Sequence, residues 1–451
     1  MRAHRLIAAC LLVLSMAPGV SRAVDTDEAL STLGLEPAPD APAWGFTPTP
    51  APDAVPPSID TSTPEAGADD DPKPRRRLIK WNEFQGPITT FRFGFGLLVD
   101  SAAYLQDHES GQQVGTLLDD VGVRDSRLLF RGRFQTKRPL SWTIGYMYDN
   151  ADDSWRFRQT GIQIGFPELN GNLFIGRTKE GFSMIKVMTG YHPWTMERSP
   201  GLDAFVPILA DGAKWMGYFP RQRVFFSLGA FGDEISEDES FASYDYQAAT
   251  RIGWLPIGSV EDKTVWHVAV MGRGGRPDEG KITLRSKPED SLAPFFVETP
   301  TIASDAAGTA GFETYYRKGP WLGGGELDYE IVDPNAGRTL GFFAGDVVAA
   351  WILTGETRGY NAQGGYFLPV SPDRTVFSGG PGAWEAVFHM SYIDLDDRDI
   401  DGGKLWRLTT MMNWHLSDNV RFEFIYGYGI LDRFDLDGHT HFFQSRIQLT
   451  L

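Results

Sequence analysis

Three arginines stand at positions 127, 131 and 133 of a run in which Leu128, Phe130, Gly132 and Phe134 take the intervening places. Successive side chains of a strand point to opposite faces. The spacing therefore puts all three guanidinium groups on one face, with Leu129 and Gln135, and the apolar set on the other. A guanidinium is always charged and carries five donors, so such a row suits the binding and passage of anions rather than proton transfer. Arg251, Arg407 and Arg421 occupy the polar faces of later runs, as do Arg156, Arg158 and Arg446. If the apolar faces meet lipid, each arginine turned toward the bilayer midplane costs about 2–4 kcal/mol, so the charged faces must line a wet lumen. Acids such as Asp149, Glu326, Asp328, Glu330 and Glu423 are available as partners. Partial pairing would still leave a positive path for anions.

A second group of charges lies in a long connection, residues 177–215, which contains Gly176-Arg177-Thr178-Lys179-Glu180-Gly181-Phe182 and Thr195-Met196-Glu197-Arg198-Ser199-Pro200 at its edges and centre. Connections of this length are usually functional. In a barrel with a wide lumen the loop folds inward and sets Lys179, Lys186 and Arg198 at the constriction, balanced by Glu180 and Glu197. The competing reading is an ordinary surface loop.

Other constellations give no chemistry. The chain has no Gly-x-Ser-x-Gly elbow, His-Glu-x-x-His pair or phosphate-cradling glycine loop. Asp397-Arg398-Asp399-Ile400-Asp401-Gly402 opens like a calcium loop, but its twelfth position is Leu408 where a bidentate Glu is needed. It reads as an external acidic loop, as does the acidic stretch Asp233-Glu234 with Glu237-Asp238-Glu239. His439 and His441 share a strand face and read as polar lumen lining. No catalytic residue, metal site or cofactor is expected.

The elements that must position these residues are strands. Alternation begins near Ile88 and recurs in Trp142-Ile144-Tyr146-Tyr148, in Val224-Phe226-Leu228-Ala230, in Trp266-Val268-Val270 and in Trp406-Leu408-Thr410-Met412-Trp414. Phe422-Phe424-Tyr426-Tyr428-Ile430 and the closing Phe443-Ser445-Ile447-Leu449-Leu451 continue it. Runs of about 9–11 residues suffice for a tilted strand to cross a membrane, and about sixteen such runs can be counted. Mean hydropathy is only −0.25, as alternation allows, and aromatic residues make up 13 % of the chain. The fold expected is all-β: a transmembrane antiparallel β-barrel of about sixteen strands, preceded by a disordered Pro/Ala/Asp-rich segment. A soluble β-sandwich would be left with a surplus of Trp, Phe, Tyr and Leu on its outward faces.

The ends fit that fold. Arg2 and Arg5 precede an apolar run over residues 6–17, and Ser21 and Ala23 place small side chains before Val24, so residues 1–23 read as a secretory signal. Cys10 is the single cysteine and leaves with it. Residues 24–77 are crowded with Pro, Ala, Thr and Asp and read as a disordered periplasmic linker; residues 78–451 form the barrel domain. The net charge of −17 becomes −20 once Arg2, Arg5 and Arg22 are removed, with −7 in the linker and −13 in the barrel. Nucleic acid is excluded as a partner on that balance.

Several motifs taken in order carry a resemblance. They are Gly176-Arg177-Thr178-Lys179-Glu180 with Met196-Glu197-Arg198, Leu353-Thr354-Gly355-Glu356, and Gly382-Ala383-Trp384-Glu385 running to Tyr392-Ile393-Asp394-Leu395-Asp396-Asp397. Asn413-Trp414-His415-Leu416 with Asn419-Val420-Arg421, and the closing Arg446-Ile447-Gln448-Leu449, complete the set. Over residues 91–451 the chain resembles the phosphate-selective porin family (types O and P) of outer membranes. The resemblance implies a sixteen-stranded barrel, a homotrimer, an arginine-lined conduit and an inward-folded loop. Two features depart from it: lysine is scarce while the barrel is acidic, and the last residue is Leu451 where such barrels usually end in Phe.

The function expected is an outer-membrane porin for passive diffusion of small hydrophilic solutes, with a modest preference for anions, phosphate among the candidates. Its partners are outer-membrane lipid, two further copies of itself, small anions and, through residues 24–77, the cell wall. The alternatives are a barrel that anchors the membrane to the wall, and a barrel enzyme.

Overall fold

The computed structural model describes residues 82–149, 154–188, 190–232, 244–259 and 263–451. The expected signal, the linker and the acidic stretch near Asp233 lie outside the described residues.

Sixteen long strands make one sheet: β1 (Thr90–Gln106), β2 (Asp120–Arg133), β3 (Leu140–Asp149), β4 (Ser154–Phe166), β5 (Gly171–Thr178), β6 (Ala210–Phe219), β7 (Val224–Gly232) and β8 (Tyr244–Ser259), followed by β9 (Thr264–Pro277), β10 (Ile302–Lys318), β11 (Trp321–Pro334), β12 (Leu340–Ile352), β13 (Ala383–Asp397), β14 (Ile400–His415), β15 (Val420–Arg433) and β16 (Leu436–Thr450). Each pairs antiparallel with its chain neighbour. β1 pairs with β16 from Gly96 opposite Thr450 to Gln106 opposite Thr440. The sheet is thereby closed, and no row of backbone donors and acceptors is left at an edge facing lipid. Two short strands, Glu83–Gln85 and Lys281–Ile282, extend β1 and β10 at their ends.

The alternation seen in the sequence decides which way each side chain points. Along β14, Trp406 and Leu408 are exposed on the outer wall while Arg407 and Thr409 between them are buried. Aromatic pairs collect on the outer wall near one rim: Trp321 stacks on Trp351 at 4.5 Å and Trp384 on Trp414 at 4.9 Å. Tyr146 stacks on Trp155, and Tyr392 packs on Trp406, near the other rim. Two such girdles flanking an apolar band are what a membrane barrel requires. The expected lumen position of His439 and His441 is corrected here. Both lie on the outward-facing positions of β16, hydrogen bonded through Nδ1 to the Tyr428 and Tyr426 hydroxyls at 2.8 and 2.9 Å. They count with the aromatic residues because Gly438, Thr440 and Phe442 hold the inward positions.

Both ends of the barrel, β1 and β16, open on the same rim, called the terminal rim below. Most connections there are short, such as residues 167–170 and 319–320, but residues 353–382 are not. On the opposite rim the long connections are 179–209 and 278–301. A short helix, α1 (His108–Val114), also lies there, its N-terminus capped by the Asp107 side chain. Gln113 of α1 donates to the Leu431 carbonyl at 3.0 Å, so the helix leans over the mouth toward β15.

The main apolar core sits inside the barrel. Phe182, Met184, Met188, Trp194, Leu202 and Phe205 of residues 179–209 join Leu284, Phe296 and Val297 of residues 278–301 and Tyr360 and Phe367 of residues 353–382. They pack on inward residues such as Tyr315, Phe342, Ala344 and Leu405. A uniformly wet lumen, the simplest expectation from the arginine faces, does not describe this interior. Three connections fill much of it, and burial of their apolar groups at roughly 25 cal/mol per Å² is what offsets the cost of ordering such long segments.

Candidate functional site: a charge-divided lumen

Carboxylates collect on the inward faces of β10, β11 and β12. Strand register places Glu313 directly opposite Glu326, and Glu326 directly opposite Asp346, with Asp328 and Glu330 further along β11. All five are buried. Like charges directly opposite one another across a ladder are destabilising, so this row exists only because something neutralises it. The inward loop supplies part of that. Ser183 Oγ donates to Glu326 at 2.5 Å, and the Met184 backbone N–H donates to Glu313 at 2.6 Å. Arg251 and His267 meet the same oxygen of Glu313, the His267 contact being 2.8 Å, and the Tyr315 hydroxyl donates to Glu326 at 2.9 Å. Gly201 presses its backbone against Ala344, where a Cβ would collide. The loop is thus laid over the acidic wall and covers it.

The opposite edge of the same loop is held by its carbonyls. Gln448 donates to Tyr191 O at 3.1 Å, Arg358 to His192 O at 3.2 Å, Arg421 to Pro193 O at 2.9 Å and Asn413 to Trp194 O at 2.9 Å. Arg446 captures Met196 O and also forms a two-pronged pair with Asp100, at 2.6 and 2.7 Å. Arginine suits this task because one planar fork can serve a carboxylate and a carbonyl together. Arg421 is therefore an inward residue, as its strand position required, and it divides its donors between the Pro193 carbonyl of the loop and its strand neighbours Gln448 and Glu423. Arg251 donates to the Gly364 and Gly365 carbonyls of residues 353–382 at 3.2 and 2.6 Å, whereas Arg407 is bonded to its strand neighbours Thr409, at 3.1 Å, and Gln444, and lies 3.6 Å from Glu289 of residues 278–301.

Cations gather on the other side. Arg124 and Arg127 of β2 and Arg156 and Arg158 of β4 lie on inward positions, and Arg177 at the end of β5 is buried near Arg158. Arg131 stands opposite Arg92 of β1, and Arg133 lies exposed at the terminal rim. Arg127 is paired with Asp125 and lies 4.6 Å over the Tyr191 ring. Arg158 has Arg127, Arg198, Arg124 and Arg177 as its charged neighbours. Among the described residues Arg158 and Arg198 form no ion pair, and Arg198 Nε is buried without a hydrogen-bond partner.

The loop charges fall on both sides of this divide. Glu180 pairs with Arg273 at 3.0 Å, and Glu197 with Arg124 at 2.8 Å and with Arg446. Burial would raise the Glu197 carboxyl, but those two guanidinium groups outweigh it and hold it well below the usual carboxylate range. Burial, then Arg198, Lys186, Arg127 and Arg158, push the Lys179 ammonium well below its ordinary value. Lys179 donates to the Met188 carbonyl, and Lys186 is fully buried near Glu180. Residues 179–198 thus bring together all five loop residues singled out in the sequence. The loop itself is shorter than expected, because Arg177 and Thr178 still belong to β5 and residues from Ala210 to β6.

Two further segments turn inward. Residues 278–301 place Glu289 against Ser391, His389 and Arg407, and Asp290 against the Tyr104 hydroxyl at 2.9 Å. Residues 353–382 place Tyr360 2.6 Å from His267 and lock Arg358 to Glu385 through two bonds of 3.0 and 2.8 Å. The available signal was length combined with parity: 353–382 is a thirty-residue connection at the rim where neighbouring turns are a few residues long.

Comparison with known proteins is consistent with this architecture. A family model described as phosphate-selective porin O and P matches residues 119–450. A relative from Caulobacter vibrioides (strain ATCC 19089 / CIP 103742 / CB 15), an uncharacterized protein, is 34 % identical over 122 residues, 27 % of this chain, and the chain spans only 24 % of that relative's length. Among solved structures, the outer membrane channel DcaP of Acinetobacter baumannii superposes with a TM-score of 0.52 at 10 % identity, covering 82 % of this chain and 99 % of that one. A loop L8 deletion mutant of OmpT, an outer membrane protein of Vibrio cholerae, gives 0.51 at 12 % identity, with 80 % and 99 % covered. An anion-selective porin from Comamonas acidovorans gives 0.50 at 10 % identity, with 80 % and 100 % covered. At these identities the solved structures speak for the barrel alone.

Proposed function

Because the chain belongs to the phosphate-selective porin O and P family, we propose that its passive diffusion path runs along the basic wall of β2, β4 and β5 and favours small anions. It is an outer-membrane porin, and small hydrophilic solutes cross it by passive diffusion. The observation that carries the selectivity is the division of charge within the lumen. The acidic row Glu313–Glu326–Asp346 lies beneath the inward loop, while Arg158 and Arg198 are close enough to repel one another and, among the described residues, form no ion pair. A solute therefore meets more cations than acids along this wall, where Glu180 and Glu197 are already paired with Arg273, Arg124 and Arg446, despite a net charge of −13 over residues 78–451. Fixed cations with low-dielectric walls concentrate anions and repel cations.

The remaining assignments follow from the same reading. The terminal rim faces the periplasm, so that residues 24–77 form a periplasmic linker with a cell-wall contact, and three barrels associate. Arg127, Arg131 and Arg133 form the row along β2, Lys179, Lys186 and Arg198 the cationic side of the constriction, and Glu180 and Glu197 its balancing acids. Arg251, Arg407 and Arg421 shape the path from behind by fixing the inward segments. Reversal potential of the refolded chain in a salt gradient tests the selectivity: an anion-directed potential is expected, and a cation-directed one removes the basic-wall path. Cross-linking in native membranes tests the trimer.

A further inference from the structure

One cavity opens between the inward loop, residues 353–382 and the wall formed by β4 to β8. Its lining is more apolar than polar, with Phe225, Tyr366, Met216 and Val187 on the apolar side. The polar groups are Lys179, Lys214 and Arg251 with Gln159, Gln363 and Ser227. Three of these have donors uncommitted within the protein. Among the described residues the Gln159 and Gln363 amides form no hydrogen bond, and Ser227 Oγ is buried without a partner. Among the described residues the Lys179 ammonium bonds only to the Met188 carbonyl, with no carboxylate in ion-pair range. Buried hydroxyl groups are normally satisfied, so an orphan in a cavity lined by cations and amides marks a place for an acceptor.

We propose that this cavity seats small organic anions that carry one carboxylate on an apolar body, such as aryl or branched alkyl carboxylates. The carboxylate accepts from Lys179, Ser227 and the amides, and the body lies against Phe225, Tyr366 and Met216. Inorganic phosphate is the poorer fit, because a dianion with four polar oxygens would have to desolvate against apolar walls that give it no donors. The proposal rests on the anion-conducting reading above and names the solute class for it.

The test uses the full-length chain, refolded and purified, with benzoate, acetate and inorganic phosphate as probes. Each is titrated in detergent by calorimetry and, in planar bilayers, against the chloride current. Benzoate and acetate share a head group, so their ratio isolates the apolar contacts. Burial of even part of a phenyl ring makes benzoate at least about tenfold tighter than acetate. Lys179→Met is expected to weaken benzoate about tenfold or more, and Gln363→Leu to weaken it severalfold, a second variant in case the first misfolds. Phosphate is expected to bind no more tightly than acetate. Benzoate within twofold of acetate by calorimetry, or phosphate tighter than benzoate, overturns the cavity assignment whatever the current shows. A cation-directed reversal potential with the benzoate preference intact overturns the conduit reading instead and leaves the cavity standing.

Discussion

Replacing Arg358 by Met removes one of the best-defined clamps on the inward loop. Arg358 and Glu385 are 1 % and 0 % exposed at their side chains and share two hydrogen bonds. The same guanidinium donates to His192 O at 3.2 Å and Leu368 O at 3.3 Å, so it ties two inward segments to β13. Breaking a buried pair by removing one partner typically costs about 3–5 kcal/mol, since the other charge remains buried. Two carbonyls also lose their donor, about 1–3 kcal/mol for each that stays buried and unsatisfied. Asn413, 3.1 Å from Glu385, and His415 at 3.6 Å offset part of this. The single variant is therefore expected to lose about 4 kcal/mol. Arg358→Met with Glu385→Gln, which removes the orphan charge, should recover about half. The assay is urea unfolding of the folded barrel followed by tryptophan fluorescence. Trp194 is a local reporter, its ring 5.7 Å from the Arg358 guanidinium. A single variant as stable as the parent, or a double variant no better than the single, would refute the view that buried arginines fix the loop.

Other consequences can be checked in the same preparations. Gly96 lies under the Tyr191 ring, where a Cβ would collide; Gly96→Val should lower the unfolding midpoint by the equivalent of about 1–3 kcal/mol, and Tyr191→Ala in that background should restore much of it. His192, in the loop, is pushed down to about 3 by burial and then by Arg421, Lys179 and Arg358. Its ordinary value is higher, so the stability that follows from keeping it neutral is complete above about pH 6.5 and is lost as pH falls toward 3. His192→Asn should flatten the upper part of that decline, which urea midpoints between pH 7 and 4 will show; an unaltered slope counts against a buried neutral His192. Ser183→Ala removes the hydroxyl bonded to Glu326 and should cost about 1–3 kcal/mol, as for a buried polar group left without its partner, with unfolding midpoints as the readout.

Much of the barrel was legible from local pattern. Period-two alternation is a backbone property, so it assigned Trp406 and Leu408 to the outer wall and Arg407 and Thr409 to the inner without knowledge of neighbours. It also read His439 and His441 as lumen residues by polarity, when the parity of Gly438, Thr440 and Phe442 places them outside. The interior was less legible. Phe225 faces inward and is buried because residues 353–382 lie over it, Gly365 against its ring, and nothing within β7 itself records that cover. Which arginines would be spent on carbonyls was equally hidden. Arg421 and Arg158 are alike in sequence context, and only the loop packed beside Arg421 makes one a clamp and leaves the other facing cations.

An anion path along the basic wall sets the sign of the reversal potential, and a salt gradient of about tenfold measures it directly. The parent chain should give an anion-directed potential, and Arg158→Gln with Arg198→Gln should move it most of the way to zero, while the solvent-facing Arg398→Gln on the β13–β14 turn leaves it in place. A cation-directed potential in the parent, or one indifferent to Arg158 and Arg198, would contradict the account.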